Sequence, residues 1–590
     1  MPLRFPVLSL RVWIVSALML TWVGTQQARQ ARAQAVDTPA AGQDAGDRAK
    51  ATNLETQTDQ LFANWDKPGS PGCALAVVKD GKVVYEHGYG AANLEYGVRI
   101  TPATIFHVAS VSKQFTAFAV LLLAQEHKLS LDDDVRKYLP ELHDFGKTIT
   151  VRHLLHHTSG LRDQWNLLML AGWRLADVIT ERDVLSLVWR QEELNFEPGA
   201  EHLYSNTGYT LLGLIVKRIS GESLNAFCQE RMFKPLSMKN THFHDDNERI
   251  VPGRSYSYAP KRGGGFANDP LQYATVGASS LFTTVEDLAL WDQNFYDGKV
   301  GGPDVVAQML EKGKLNNGKE IDYACGLLLG EYRGLKTVKH NGGDAGYRST
   351  LLRFPEQRFS VIILSNLASV DPEGVARKVA DIYLSDKVEP LPTVAAKPTV
   401  ERTEIKLDPK IYEAYVGDYQ GPRGRVFTIT TENGRLMAND AGSPKIELFP
   451  FTETDFFLKV RKGELSFVKE KDGTVNEVVL HRDGQDETAR RVDPSALKPT
   501  HLSDYVGDYY SRELGVIYTV AMRDDKLRIR HPRGEAVAKE TKTDEFTVDF
   551  PIGTVNFTRG ADQNVNSMLV STNGPIRNLR FARVEIKARP

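Results

Sequence analysis

The sequence predicts an α+β domain, one antiparallel sheet flanked by helices and interrupted by an all-helical region, followed by two small antiparallel β-barrels. Three observations carry this reading. Strand-like runs lie at both ends of segment 53–386 with helix-like runs between them, so one sheet built from both ends is the simplest architecture. Segment 387–407 holds Pro390, Pro392 and Pro398 among small and charged residues and reads as a linker. Beyond it, Tyr415-Val416-Gly417-Asp418-Tyr419 recurs 90 residues later as Tyr505-Val506-Gly507-Asp508-Tyr509. Val426-Phe427-Thr428 returns as Ile517-Tyr518-Thr519, Leu436 after Asn433-Gly434 as Leu527 after Asp524-Asp525, and Arg491-Val492 as Arg583-Val584. Matches in order at a nearly constant offset mark a duplication. Each copy, 408–497 and 498–590, is a run of short strands that fits an up-and-down barrel.

The elements follow in order. Arg4 and Arg11 precede an apolar stretch, Val12 to Val23, too short to span a membrane, and Ala31-Arg32-Ala33 and Ala33-Gln34-Ala35 are small-x-small cleavage sites. Residues 1–35 therefore read as a cleaved signal peptide, with an uncleaved anchor as the alternative that Arg29 and Arg32 keep open; cleavage implies a periplasmic or secreted protein with no stable membrane span. Residues 36–52 read as a flexible leader. Leu54, Leu61, Phe62 and Trp65 mark a first amphipathic helix. Cys73–Val78 and Val83–Gly88, joined by Asp80-Gly81, read as a hairpin. The most apolar helix-like run, Gln114 to Ala124, opens at Ser110. Residues 129–300 are mostly helical by pattern, with loops at Glu197-Pro198-Gly199 and Gly263-Gly264-Gly265, and Thr284 with Asp287 reads as a capping box. Strands return at Ala324–Gly330, a short Lys336–Lys339, Tyr347–Phe354 and Phe359–Leu364, and a helix over Glu373–Leu384 closes the domain.

Composition narrows the function. A chain of 590 residues exceeds a single core. Net charge is −2, and since residues 1–35 carry four arginines and no acid, the remainder stands at −6, which gives no electrostatic case for nucleic acid. Cys73, Cys228 and Cys325 allow at most one disulfide, lie in apolar surroundings and read as small core residues. The cluster His153-Leu154-Leu155-His156-His157 lacks metal-binding spacing and reads as a helix end with a turn. Neither a cofactor nor a metal is called for.

The chemistry rests on Ser110-Val111-Ser112-Lys113. A Ser at a helix start with Lys three residues on presents hydroxyl and amine on one face, a nucleophile with a base in reach. The same pattern at Ser466–Lys469 lies in a strand-like segment, and at Ser495–Lys498 it runs into Pro499. Two further segments supply partners. Tyr204-Ser205-Asn206 follows a loop; beside a lysine ammonium the tyrosine pKa should fall, fitting it as a general base. His340-Asn341-Gly342-Gly343 ends a short strand, where the glycines admit a substrate close to the backbone and the histidine holds a proton or polarises the site. No Gly-x-Ser-x-Gly nucleophile elbow occurs.

With these motifs in hand, residues about 55 to 385 resemble the serine β-lactamase and penicillin-binding-protein superfamily, in its class C-like branch of esterases, D-aminopeptidases and D-Ala-D-Ala carboxypeptidases. Phe106, His157-Thr158-Ser159-Gly160 and Gly277-Ala278-Ser279-Ser280 also resemble this branch. The resemblance implies a β-lactamase-like fold and a role for each position. Ser110 is the acylated nucleophile. Lys113 takes its proton or relays it to Tyr204, the general base of acylation. Asn206 binds the substrate amide, and the backbone N–H groups of Ser110 and Gly343 form the oxyanion hole beside Gly342. Where this chain has His340, penicillin-binding members carry a lysine that binds the β-lactam carboxylate, so the resemblance points away from efficient β-lactamase activity. A hydrolase domain with two lipocalin-like barrels also resembles the layout of bacterial D-aminopeptidases, in which a loop of the last barrel reaches the site. No motif marks such a loop here, and Asp508 and Asp524-Asp525 read as surface residues. The expectation is an exported serine hydrolase acting on a small molecule or short peptide. Two alternatives stay open, a module that acylates without efficient turnover and a true β-lactamase. The sequence is silent on oligomeric state.

Overall fold

The computed structural model describes residues 43–390 and 404–585, apart from 262, 422–425, 441–444, 459–462, 483–484, 493–500 and 573. The signal-peptide reading, residues 391–403 of the linker and the Ser495–Lys498 pattern lie outside the described residues. No helix among those described is long and apolar enough to cross a membrane. The chain divides at Gln60/Leu61 into two units, and the first contributes most of helix α1 (Gln43–Phe62). That helix begins inside the segment read as a flexible leader. Residues 43–52 contain no proline and several good helix formers, so a helix anchored at its C-terminal end propagates back through them.

In the second unit the hairpin forms as expected. Strands β1 (Cys73–Lys79) and β2 (Lys82–Tyr89) turn at Asp80-Gly81, with φ of 50° and 76°, the left-handed pair of a type I′ turn. Helices α2 (Ser112–Gln125), α3 (Asn206–Ser220) and α4 (Val285–Asp297) follow. Then come β3 (Leu328–Tyr332), β4 (Leu335–Asp344), β5 (Tyr347–Phe354), β6 (Phe359–Ser365) and α5 (Pro372–Tyr383). The six strands form one antiparallel sheet in the order β3-β4-β5-β6-β1-β2, so the two ends of the domain meet where Cys73 pairs with Ser365. Along β1, Cys73, Leu75 and Val77 face the α5 side while Ala74, Ala76 and Val78 face α2 and α4. Burial on both faces explains why the strand reads as an unbroken apolar run.

Three sequence expectations need correction. Residues 237–284 are not helical: Pro252-Gly253, Pro260 and Gly263–Gly265 break the chain into turns and short strands, among them Leu281–Thr283 pairing with Phe106–His107. Ala324–Leu327 is a turn rather than the start of β3. Gly326, at φ 72°, presses so closely on α2 that a Cβ there would lie 2.7 Å from the Gln114 nitrogen. Thr284 caps α4 by accepting from the Asp287 N–H at 3.1 Å, but Asp287 does not return the bond. Its carboxylate instead accepts from the Asn240 N–H and the Thr241 hydroxyl, tying the preceding loop to the helix.

The tail forms two closed eight-stranded barrels. The repeat has a physical meaning. In each copy the second tyrosine donates to the carbonyl of the first, Tyr419 to Tyr415 at 3.0 Å and Tyr509 to Tyr505 at 2.8 Å. In each copy the aspartate accepts from a strand threonine, Asp418 from Thr428 and Asp508 from Thr519, both at 2.6 Å. Arg491 and Arg583 close the barrels by donating to the Val416 and Val506 carbonyls. Where the second barrel meets the catalytic domain it uses Glu513, Tyr518 and the 575–578 loop.

Arg353 on β5 and Asp292 on α4 are 2% exposed each and bond at 2.6 Å, with the Ser360 hydroxyl donating to the same carboxylate oxygen. Removing one partner strands a buried charge. Asp292→Ala is therefore expected to destabilise the domain by about 3–5 kcal/mol in urea unfolding, whereas removal of an exposed pair such as Lys336–Glu356 changes it by less than about 1 kcal/mol.

Candidate active site

The site begins with a strained turn. Ala109 to Val111 form one turn of 3₁₀ helix leading into α2, and Ala109 sits at φ 48°, a left-handed conformation that costs a non-glycine residue about 1–2 kcal/mol. Ser112 restrains the turn: its hydroxyl donates to the Ala109 carbonyl at 2.5 Å and accepts from the Leu281 N–H at 3.0 Å. The result presents Ser110 partly open to solvent at the head of a helix that is buried from Ser112 to Leu123.

Lys113 lies one turn on and is fully buried. Its Nζ donates to Ser110 Oγ at 2.9 Å, to Asn206 Oδ1 at 2.9 Å and to the Ala278 carbonyl at 2.7 Å. Burial pulls its pKa down to about 7, against the raising influence of the Asp344 and Asp163 carboxylates. Two of the three acceptors can only accept. When the amine is neutral its two hydrogens stay on Asn206 and Ala278, and the lone pair faces the Ser110 hydroxyl.

Tyr204 stacks beneath this amine, with Lys113 Nζ 4.8 Å from its ring centroid. Its hydroxyl is buried and makes no well-formed hydrogen bond among the described residues. The expected fall in its pKa is reversed. Burial raises it, and the nearness of the Ser110 hydroxyl only moderates the rise, so the phenol keeps its proton. His157 packs on the Tyr204 ring at 4.2 Å and accepts from the Ser205 N–H at 3.2 Å, which gives the His-Thr-Ser-Gly segment a supporting role beneath the tyrosine.

His340 lies within β4 rather than at a strand end, because the strand runs on to Asp344. It is 4% exposed. Its Nε2 meets the Tyr323 hydroxyl at 3.1 Å and its Nδ1 the Asn341 carbonyl at 2.7 Å, which assigns the proton to Nδ1. Burial, reinforced by the charge of Lys113, pushes its pKa down to about 3. The imidazole is therefore neutral with both nitrogens occupied, and the expectation that it holds a proton for catalysis does not fit. Gly342, expected to admit a substrate, is required by packing within the protein. A Cβ on Gly342 would lie 2.2 Å from the Val108 carbonyl and 2.4 Å from Ser349 Oγ, so only glycine lets β4 lie against the Ser110 turn. The outer strand β3 pairs with β4 no further than Lys339, which leaves 340–344 with an open edge.

Two aspartates complete the site without having been singled out in the sequence. Asp163 caps the Gln164–Leu170 helix with one oxygen, and with the other accepts from the Asn206 backbone at 2.7 Å and its side-chain amide at 2.8 Å. Asn206 is thus oriented between Asp163 and Lys113. A helix-capping position was the available signal for Asp163. Asp344 accepts from the Ser279 hydroxyl at 2.5 Å and meets His107 Nε2 at 3.0 Å. Burial favours its neutral acid, but these partners outweigh that and hold its pKa below the usual carboxylate value, while 23% of the side chain remains exposed. Nothing in the local sequence marks it, since its partners lie far off in the chain.

Comparison with known proteins identifies relatives of the chain. Residues 53–384 match the Beta-lactamase family, and residues 401–491 match a domain family of unknown function, DUF3471. A penicillin-binding protein of Bacillus subtilis (strain 168) is 31% identical over 71% of this chain and 94% of its own length. A D-aminopeptidase of Brucella anthropi is 31% identical over 75% of this chain and 79% of its own. Among solved structures, the octameric penicillin-binding protein homologue from Pyrococcus abyssi aligns with a TM-score of 0.52 and 25% identity, covering 74% of this chain and 99% of that one.

Because a Cβ at Gly342 meets the Val108 backbone carbonyl as well as Ser349 Oγ, Gly342→Ala is expected to push β4 off the Ser110 turn. Thermal unfolding should show a loss of about 1–3 kcal/mol, and reaction of Ser110 with a fluorophosphonate should slow in parallel.

Proposed function

The chain belongs to the beta-lactamase family and is a serine hydrolase, and from that premise we propose that it is exported and cleaves small amide, peptide or ester substrates, D-amino-acid-containing ones foremost, through an acyl-enzyme on Ser110. One observation carries the reaction class: a buried lysine amine with pKa about 7, bonded at 2.9 Å to the hydroxyl of a partly exposed serine.

Neutral Lys113 takes the Ser110 proton as Oγ bonds to the substrate carbonyl carbon. The developing oxyanion lies between the Ser110 N–H and that of Gly343. In the ladder counted back from the Asp344–Tyr347 pair, Gly343 is a position whose backbone groups turn to the open edge of β4. The C–N or C–O bond then breaks, and the leaving group takes a proton from the Lys113 ammonium, with the unpartnered Tyr204 hydroxyl placed to pass it on. Water attacks the acyl ester in the second half and gives a proton to Lys113; as the C–Oγ bond breaks, Lys113 passes that proton to Ser110 Oγ, which restores the free serine and the neutral amine. Tyr204 acts here as a neutral hydroxyl rather than a phenolate base. His340 positions Tyr323 and the β4 edge without exchanging protons.

Charge supports the substrate class. Neutral His340 offers no cation to a substrate carboxylate, and the nearby Arg348 guanidinium is engaged with the Ala345 and Tyr347 carbonyls. Asp344 adds negative charge at the open edge of β4. Such a rim favours a substrate with a free amine over one with a free carboxylate, in keeping with relatives named D-aminopeptidase.

Ser110→Ala should reduce p-nitrophenyl ester hydrolysis by at least about 10³-fold with the fold intact by circular dichroism. A single burst without turnover in the wild type would instead identify a module that stalls as the acyl-enzyme. Because the base must be neutral, kcat/KM should rise with pH and level off above about 7, with an acid limb of unit slope. In a panel of D- and L-alanine p-nitroanilides, a D-Ala-D-Ala peptide and nitrocefin, the D-alanine anilide should be preferred and nitrocefin cleaved least. N-terminal sequencing of exported protein tests the leader, expected to be cut at Ala35.

A further inference from the structure

The second barrel does more than rest on the catalytic domain. Its Glu513, 5% exposed, accepts from Nη1 of Arg162 at 2.8 and 2.9 Å, and the Arg162 side chain has no exposed surface. The same guanidinium donates to the Glu193 carbonyl at 2.5 Å and, through Nη2, to the Arg577 carbonyl of the barrel at 3.2 Å. Arg162 is bonded by its backbone to Gln191 and to Thr207, the latter immediately after Asn206 on α3. The next residue is Asp163, which fixes Asn206, which in turn accepts from Lys113. A continuous series of bonds therefore runs from a carboxylate in the last barrel to the amine beside Ser110, joining residues 351 positions apart in sequence at its first step.

We propose that Glu513 is a positioning residue: by fixing Arg162 it sets the place of Asp163 and, through Asn206, the aim of the Lys113 amine at Ser110. This rests on the reading of Ser110 and Lys113 given above. Ordinary docking contacts are also present and provide the contrast. The Tyr518 hydroxyl donates to the Leu170 carbonyl at 2.8 Å, and Arg577 pairs with Glu201 at 3.0 Å, neither of them touching Asp163 or Asn206. The charged and titratable groups facing Lys113 are Asp163, Asp344, Tyr204 and Tyr209, with His157 and His340 neutral beside it. Those around the Arg162–Glu513 pair are Glu193, itself 3.7 Å from Arg580, and Glu192 with Arg512.

The test uses the full-length chain and the rate at which a fluorophosphonate labels Ser110, followed by mass spectrometry as a function of pH. Glu513→Gln is expected to slow labelling by about ten- to a hundredfold, the scale of a small misplacement of a reacting group, and to move the midpoint of the acid limb to lower pH as Asp163 draws away from Lys113. Tyr518→Phe is expected to lower the melting temperature while leaving rate and midpoint unchanged. Adding Glu513→Gln to Asp163→Asn should slow labelling no further than Asp163→Asn alone. Glu513→Asp, which keeps the charge but withdraws it by one methylene, should fall between wild type and Glu513→Gln and carries the same reading if the glutamine variant does not fold. A folded Glu513 variant with wild-type rate and midpoint, or losses that add fully to those of Asp163→Asn, overturns the proposal and leaves the contact as docking alone. A wild-type chain that is not labelled at Ser110 overturns the reading of the site itself, and this one with it.

Discussion

A primary ammonium buried among three oxygens governs this molecule. Lys113 is out of water, so its proton is held loosely, and the protein compensates with acceptors from three separate segments: the Ser110 turn, the head of α3 and the 278 carbonyl. Each acceptor must arrive at its place independently. The strained Ala109 backbone, the clamp of Ser112, the crowding of Gly326 against α2 and of Gly342 against Val108 all follow from bringing those segments to one point. An apolar helix on its own would gain nothing from a lysine in its first turn. The residue is tolerated because the surroundings are built around it, at a local expense in strain that the large core of the domain absorbs.

The same burial that makes the lysine a base keeps the neighbouring groups from competing with it. Tyr204 retains its proton and His340 never gains one, for one reason seen from opposite sides: an interior poor in water disfavours phenolate and imidazolium alike. Asp344, given donors by His107 and Ser279, stays charged at the rim. Of Lys113, Tyr204 and His340, only the amine is held at a pKa near neutrality.

What could be read from the chain in advance depended on how local each signal was. Ser110 and Lys113 were legible because their spacing is one turn of helix, whereas Tyr204, Asn206 and the Gly342-Gly343 pair were legible through their resemblance to the motifs of a known family. The barrels were legible because a duplication prints the same staples twice. The electrostatic roles of Tyr204 and His340 were misjudged, since a pKa belongs to the surroundings and not to the residue, and the burial of a loop tyrosine depends on His157 and Tyr323 arriving from elsewhere. Asp344 and Arg162 were invisible for a related cause, and Asp163 offered only a helix-capping position: each acts on a partner tens to hundreds of positions away. The irregular stretch 237–284 misled for the opposite reason, its apolar periodicity outweighing the prolines and glycines that in fact decide it.

The two barrels share their tyrosine, aspartate and arginine staples, yet where the second has Tyr518 bonding to the catalytic domain the first has Phe427, which lacks the hydroxyl. Duplication has separated two tasks that a lone domain must combine. Both rings, Phe427 and Tyr518, are buried among their barrel's own side chains, so the closed wall is kept in each copy while one added hydroxyl changes what the second barrel can bond to. A lineage can then redraw how the last barrel meets the hydrolase without re-inventing a fold, and the first barrel remains a second surface on which selection can act.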